Sequence, residues 1–153
     1  MDLDQEDAWD WIRNASPEEL KELRFLLITD KLNAQQVNQI KEIAKVNLDL
    51  GIQTSADTWN QVDHMFDPTL LLFDGHLEEQ YILTKGNIRV LHLYDPDYQL
   101  AFLSKIRNLQ TLVIERWDPE WTGALPDDLP SLQRIVLIEP SIADLSSLGK
   151  QAK

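Results

Sequence analysis

The three histidines of the chain, His64, His76 and His92, are its most versatile chemical groups, because imidazole can bind a metal or transfer a proton near neutral pH. None of them lies in an HExxH motif, and His76 is only two residues from Glu78, whereas paired ligands on one helix face are four residues apart. A metal site built from His64, His76 and a carboxylate is an alternative, but histidines without ligand spacing are more typical of surface positions. We therefore predict that the protein binds no metal.

The remaining catalytic residue types also lack the local patterns that their chemistry requires. The chain has no cysteine, so thiolate nucleophiles and thiolate metal ligands are excluded. No serine lies in a GxSxG turn, and the glycines are too scattered to form a phosphate-binding loop. These observations predict a protein that is not an enzyme and needs no cofactor; an enzyme with an unrecognised site is the remaining alternative.

The charge of the chain restricts its partners. It has 14 basic and 26 acidic residues, for a formal net charge of −12, and the acidic residues are spread along its length. Nucleic acid and anionic membranes are therefore poor partners, because both attract basic surfaces. The clustered carboxylates at residues 95–97 and 127–128 we interpret as turn formers. The acidic amino-terminal segment lacks the features of a signal peptide, and even the longest apolar runs, such as that at residues 70–73, are too short to span a bilayer, so we expect a cytoplasmic protein.

Residues 1–66 have the pattern of a helical segment. The spacing of apolar residues predicts four helices, two of which begin at recognisable capping residues. Ser16 and Glu19 form the signature of a capping box that opens a helix over residues 16–32, and Asn33 can cap the next helix. We therefore predict a helical amino-terminal cap.

After residue 68 the pattern changes to short alternating segments. Four of them share an apolar-x-apolar core: Leu70-Leu71-Leu72, Leu91-His92-Leu93, Leu112-Val113-Ile114 and Ile135-Val136-Leu137. Their first residues stand at positions 70, 91, 112 and 135, so the steps are 21, 21 and 23 residues. Short alternation predicts a strand with one buried face, and a regular period above about 20 residues predicts stacked repeats.

These segments resemble the leucine-rich-repeat family. The stretches LQTLVIERW, LQRIVLIEPSIADLSSL and TGALPDDLPSL are similar to the family pattern LxxLxLxxNxLxxLPxxLxxL, and the likeness covers residues 67–148. In the first segment, Asp67 stands where the pattern has an aliphatic residue. The asparagine of the pattern is replaced by Gly75, Pro96, Trp117 and Pro140. The resemblance implies an α/β fold, in which a short solenoid of three to four repeats with parallel strands covers residues 67–153. A helical cap over residues 1–66 precedes it. The resemblance also implies a function in binding another macromolecule.

The alternation also predicts which side chains form the binding surface. The apolar residues at the two ends of each core are expected to point inward, and the residues between them to lie on the concave face of the sheet. One row of that face is predicted to contain Leu71, His92, Val113 and Val136. The next row is predicted to contain Phe73, Tyr94, Glu115 and Ile138, edged by Asp74, Asp95, Arg116 and Glu139. An apolar centre with a charged rim is typical of protein-binding surfaces; coverage of this face by the amino-terminal helices or by a second copy is the alternative.

Two tryptophans lie in the longest insertion between the predicted strands. Trp117 and Trp121 flank the WDPEW segment beside Arg116, and these residue types are enriched where binding energy is concentrated. In the alternative interpretation, one ring covers the end of the core. The complete set of predicted partner-binding residues is Phe73, His92, Tyr94, Val113, Glu115, Arg116, Trp117, Trp121 and Ile138.

We predict from these features a protein–protein interaction module that binds its partner on the concave face. The alternative is a small acidic inhibitor or immunity-type protein that blocks a basic enzyme through its acidic surface and end loops. Only five residues follow Leu148, so the last repeat is expected to pair with another chain, as in a homodimer, or to continue into a longer protein.

Overall fold

The computed structural model describes residues 1–78, 82 and 85–141, which form an α/β structure. Its helices are α1 (Glu6–Asn14), α2 (Pro17–Lys21), α3 (Ala34–Val46), α4 (Ala56–Val62) and α5 (Pro119–Thr122). Its strands are β1 (Phe25–Ile28), β2 (Gly51–Ser55), β3 (Leu70–Asp74), β4 (Val90–Tyr94), β5 (Thr111–Glu115) and β6 (Arg134–Ile138). No helix among the described residues has the length and apolar character needed to cross a membrane.

All six strands belong to one parallel sheet, and their order in the sheet is their order along the chain. Each strand therefore pairs with its predecessor and its successor, and β1 and β6 lie at the two ends of the described sheet. Because the strands are parallel, each connection must bring the chain back to the end of the sheet at which the strands begin. In this order, residues at equivalent positions of successive strands lie side by side.

One face of the sheet is buried in a single hydrophobic core that also includes side chains of the connecting segments. The fully buried apolar side chains of this face are Leu26, Ile28, Ile52, Leu71, Phe73, Leu91, Leu93, Leu112 and Ile114. Ile135 and Leu137 of β6 are partly buried against the same core. The inward orientation predicted for β4, β5 and β6 is confirmed.

The predicted register of β3 is wrong by one residue. Leu71, and not Leu70, lies opposite Leu91, so the buried residues of this strand are Leu71 and Phe73. Four consecutive apolar residues satisfy alternation in either register, and only the pairing with β4 decides between them. The correct register also removes an anomaly, because the position three residues upstream is then Pro68, which is buried, and no longer Asp67.

The prediction that residues 1–66 are entirely helical is also wrong, because β1 and β2 lie within them. The helix that begins at Ser16 ends at Lys21, although helical spacing continues through the following leucines. Residues 25–28 instead pair with residues 51–54. Strand pairing and core burial of two side chains outweigh helix extension here, since local propensity is a weak determinant. Strand β2 in turn pairs with β3, so the sheet continues across the predicted boundary at residue 66.

The helix starts themselves follow the sequence signals. The Glu19 N–H donates to Ser16 Oγ at 3.2 Å, and the Ser16 N–H donates to the Glu19 carboxylate at 2.7 Å. Asn33 and Gln36 form the same reciprocal pair at the start of α3, with both distances 2.9 Å. Both predicted caps are therefore confirmed.

Candidate functional site

The face of the sheet opposite the core is called the open face, and its centre is largely apolar. The register aligns one residue from each strand across this centre: Leu27, Gln53, Leu72, His92, Val113 and Val136. All of these side chains are half-buried except Gln53, which is exposed. Side chains of the neighbouring strands cover much of each aliphatic side chain in this central row, but the outer side of the row faces solvent.

A second row, nearer the carboxyl ends of the strands, is more polar. It contains Ser55, Asp74, Tyr94, Glu115 and Ile138. Tyr94 and Ile138 are its large apolar or aromatic members, and each is 38% exposed. The open face therefore changes from aliphatic to charged and aromatic along the strand direction.

A histidine and a carboxylate meet between these two rows. His92 Nε2 lies 3.5 Å from Glu115 Oε2, and their side chains are 23% and 29% exposed. The pair is diagonal across β4 and β5. When the imidazole is protonated, this contact becomes an ion pair in a partly desolvated setting, where it is less screened than at a fully exposed site.

Arg116, which directly follows β5, contacts residues at the ends of β4 and β6. Its guanidinium carbon lies 5.6 Å from the centre of the Tyr94 ring, and its Nε lies 3.6 Å from Glu139 Oε2. Its backbone N–H donates to the carbonyl of Ile138 at 2.8 Å. The guanidinium is thereby held beside an aromatic face and a carboxylate at the edge of the open face.

The residue immediately after each of strands β3 to β6 has a left-handed backbone. These residues are Gly75 (φ 100°), Asp95 (φ 46°), Arg116 (φ 55°) and Glu139 (φ 50°). This conformation is disfavoured for side chains with a Cβ, least so for asparagine and aspartate. Each of these four strands is therefore followed by a positive-φ residue, although only one of the four residues is a glycine.

A pocket of about 590 Å³ lies at the carboxyl ends of β4 to β6, and it is called the end pocket. Its lining residues are Asp95, Pro96, Asp97, Arg116, Asp118, Trp121, Glu139 and Ser141. Trp121 is 65% exposed, whereas Trp117 is fully buried. The Trp117 indole N–H donates to Thr122 Oγ1 at 2.7 Å inside the core. Only one of the two predicted surface tryptophans is therefore at the surface.

The other predicted binding residues divide in a similar way. The prediction that Phe73 is a partner-binding residue is wrong, because the register of β3 places its side chain in the core, where it is 3% exposed. Tyr94, Arg116 and Ile138 are exposed, and three further predicted residues lie half-buried on the open face: His92, Val113 and Glu115. The structure thus brings six of the nine predicted residues together on the open face and at its edge, with Trp121 in the end pocket beside them.

Leu72 and Gln53 are open-face residues that the sequence did not identify. Leu72 occupies the open-face position that the sequence predicts for Leu71, and Gln53 lies in β2, within the segment predicted to be helical. The only sequence signal for the shift was the misfit of Asp67 to the repeat pattern.

The other histidines lie apart from this face and beside single carboxylates. His64 Nδ1 is 3.9 Å from Asp63 Oδ1, and His76 Nδ1 is 3.9 Å from Asp97 Oδ1. Within residues 1–78, 82 and 85–141, no three histidine or carboxylate side chains are grouped as a metal would require. The predicted pairing of the carboxyl-terminal edge depends on residues 142–153, which lie outside the described part of the chain.

Comparison of the chain with protein-family models, with curated proteins and with solved structures finds no match. Its function is therefore inferred from the arrangement of its own residues.

Proposed function

We propose that the protein is an interaction module that binds a protein partner on the open face. The observation that carries this proposal is the aliphatic central row, in which Leu72, Val113 and Val136 share a solvent-facing surface of the sheet. A sheet face that only contacts water normally carries polar side chains. An apolar surface bordered by charged residues is typical of a protein-binding site.

The proposal includes a leucine-rich-repeat solenoid of three to four repeats over residues 67–153. Three features support it: the strands follow one another in order, the inward positions of β3 to β6 recur at steps of 20, 21 and 23 residues, and each of these strands ends in a left-handed residue. In this arrangement the strands present a continuous surface that one partner can contact across several repeats. Strands β1 and β2 continue the sheet on the amino-terminal side of this stack.

The exposed side chains at the border of the open face supply anchors for such a partner. Tyr94 and Ile138 are large and accessible, and aromatic side chains are enriched among residues that dominate binding energy. Arg116 and Glu115 stand next to them and would orient the partner through directional polar contacts.

Affinity capture with matched leucine variants tests the proposal. The tagged protein and two variants, Leu72→Asp and Leu48→Asp, are used to capture partners from a lysate of the source cells. Leu72 lies in the central row, whereas Leu48 is 57% exposed in the loop before β2, outside that row. Loss of the captured protein with Leu72→Asp alone, in variants with unchanged circular dichroism, supports the proposal; equal capture by all three proteins contradicts it.

The end pocket favours a second candidate, an inhibitor of a basic enzyme. Four carboxylates and the exposed Trp121 ring surround it, and Arg116 is the one cation in the described lining. Contacts of this kind are screened by salt, whereas apolar contacts on the open face are not. A captured partner that dissociates as salt rises from about 50 mM to about 500 mM, and that is lost with Trp121→Ala but retained with Leu72→Asp, favours the inhibitor.

A further inference from the structure

The open face contains a pocket of about 320 Å³ at the carboxyl halves of β2 to β5, called the face pocket. The open-face residues that line it are Gln53, Leu72, Asp74, His92, Tyr94 and Glu115. Leu72 gives it an apolar side chain, and carboxylates, an amide and a phenol surround that side chain. Its volume is at the lower end of the range for ligand pockets, so it can take one long side chain and part of its neighbours.

Two carboxylates stand on opposite sides of this pocket. Asp74 and Glu115 lie directly across from Tyr94, one on each neighbouring strand. Two strand spacings separate their Cα atoms by roughly 10 Å, which leaves room for a planar cation between the two side chains. Arginine and lysine are absent from the described lining.

One arginine lies beside the pocket, and its guanidinium pairs with a carboxylate outside the described lining. Arg116 contacts the Tyr94 ring and Glu139, at the edge of the neighbouring end pocket. Within the described part of the chain, Asp74 has no ion-pair partner, and Glu115 has only the imidazole of His92. Among the described residues, Asp74 and Glu115 therefore have no lysine or arginine partner.

We propose that the face pocket receives an arginine side chain of the protein partner, an inference that rests on the proposed function. The methylene groups of the arginine pack on Leu72, and the guanidinium lies between Asp74 and Glu115 beside the Tyr94 ring. Guanidinium suits this site because it is planar, donates several hydrogen bonds to carboxylates and stacks on aromatic rings. The net charge of −12 attracts a partner that carries such a cation.

An NMR titration with a minimal probe tests the inference without the partner. The ¹⁵N-labelled protein is titrated at pH about 8, where histidine is ordinarily neutral, with N-acetyl-arginine methylamide or with its uncharged citrulline analogue. We expect saturable shifts of the backbone amides of Leu72, Asp74, Tyr94 and Glu115 with the arginine probe only. Equal responses to both probes, shifts scattered over the whole acidic surface, or shifts centred on Trp121 would each overturn the inference.

Three isosteric variants sharpen the test. Asp74→Asn and Glu115→Gln should each raise the dissociation constant of the arginine probe about three- to fivefold, as expected for loss of one partly solvated ion pair. Asp97→Asn makes the same charge change in the end pocket and should leave the constant unchanged. An equal effect of all three substitutions would mean that the probe responds only to net charge, which contradicts a built site.

The two proposals fail in different ways. If Leu72→Asp abolishes partner capture while the arginine probe does not bind, the open face remains the interaction surface and the arginine inference is wrong. If the probe binds the face pocket but Leu72→Asp leaves capture intact, the partner contacts the protein elsewhere, and both the open-face proposal and the inference about the partner's arginine are wrong.

Discussion

The two faces of the sheet are built from alternate residues of the same strands, yet they differ in chemistry and in constraint. On the buried face, Leu71, Leu91 and Leu112 are aligned and have no exposed surface. On the open face, the aligned residues Leu72, His92 and Val113 vary in type and keep contact with solvent. The inward positions are apolar except for Thr54, whereas the open face has apolar, charged and aromatic residues. Its largely apolar composition is therefore more informative about function than the uniform leucines beneath it.

The largest expected effect distinguishes the two faces within β3. Phe73→Ala should lower the free energy of unfolding by about 3–5 kcal/mol, because it leaves a cavity in the core. Leu72→Ala removes a half-buried side chain and should cost about 1 kcal/mol or less. Denaturant unfolding of both variants measures the difference. Equal losses would contradict the register described for this strand.

The next effect concerns the polar contact inside the core. Thr122→Val removes the acceptor of the Trp117 indole N–H and leaves a buried donor unsatisfied, so it should cost about 1–3 kcal/mol. Thr111→Val is the matched control, because Thr111 is half-buried on the open face. Its substitution should change stability by no more than about 0.5 kcal/mol. A control as destabilised as Thr122→Val would show that the loss of a threonine hydroxyl is not specific to the core.

The third prediction separates binding from stability on the open face. Tyr94→Ala should weaken partner binding by more than about 1 kcal/mol, since the ring is accessible and also holds Arg116 in place. The unfolding midpoint should change little, because the ring is outside the core. Isothermal titration with the captured partner measures affinity, and Tyr94→Phe, which keeps the ring, should bind nearly as wild type. Unchanged affinity of the alanine variant would remove Tyr94 from the binding surface.

The smallest expected effect is a pH dependence of the free energy of unfolding that comes from a buried tyrosine. Burial raises the pKa of Tyr98 well above its ordinary value of 10.0, and the side chain is only 7% exposed. Below pH about 10 both folded and unfolded states keep the proton; above it, the unfolded state ionises first, so stability is lost as pH rises. Tyr98→Phe should remove part of this loss, about 1 kcal/mol by pH 11. Urea unfolding between pH 9 and 11 measures this loss of stability. Tyr94→Phe is the control for removal of a phenol. Parallel pH profiles for wild type and Tyr98→Phe would contradict the prediction.

Sequence reasoning succeeded where the relevant signal is local. Ser16 and Asn33 cap their helices through residues three positions away, and in β4 the polar His92 between two leucines fixes the phase of the alternation. It failed at β1, where helical spacing continues from a capping box into residues that pair with a strand 26 positions away. It also failed at β3, where four consecutive apolar residues leave the phase undetermined.

The chain's own sequence determined its acidity, the starts of α2 and α3 and the inward residues of three strands, because each of these depends on residue type or on a recurring local pattern. The tertiary structure alone decided the phase of β3, the membership of β1 and β2 in the sheet, and the burial of Phe73 and Trp117. It also decided that Asp74, Tyr94 and Glu115, which are about 20 residues apart in the chain, lie side by side around one pocket. Such positions are adjacent only after the strands have paired, since the hydrogen-bond register, and no local preference, sets which side chains face one another.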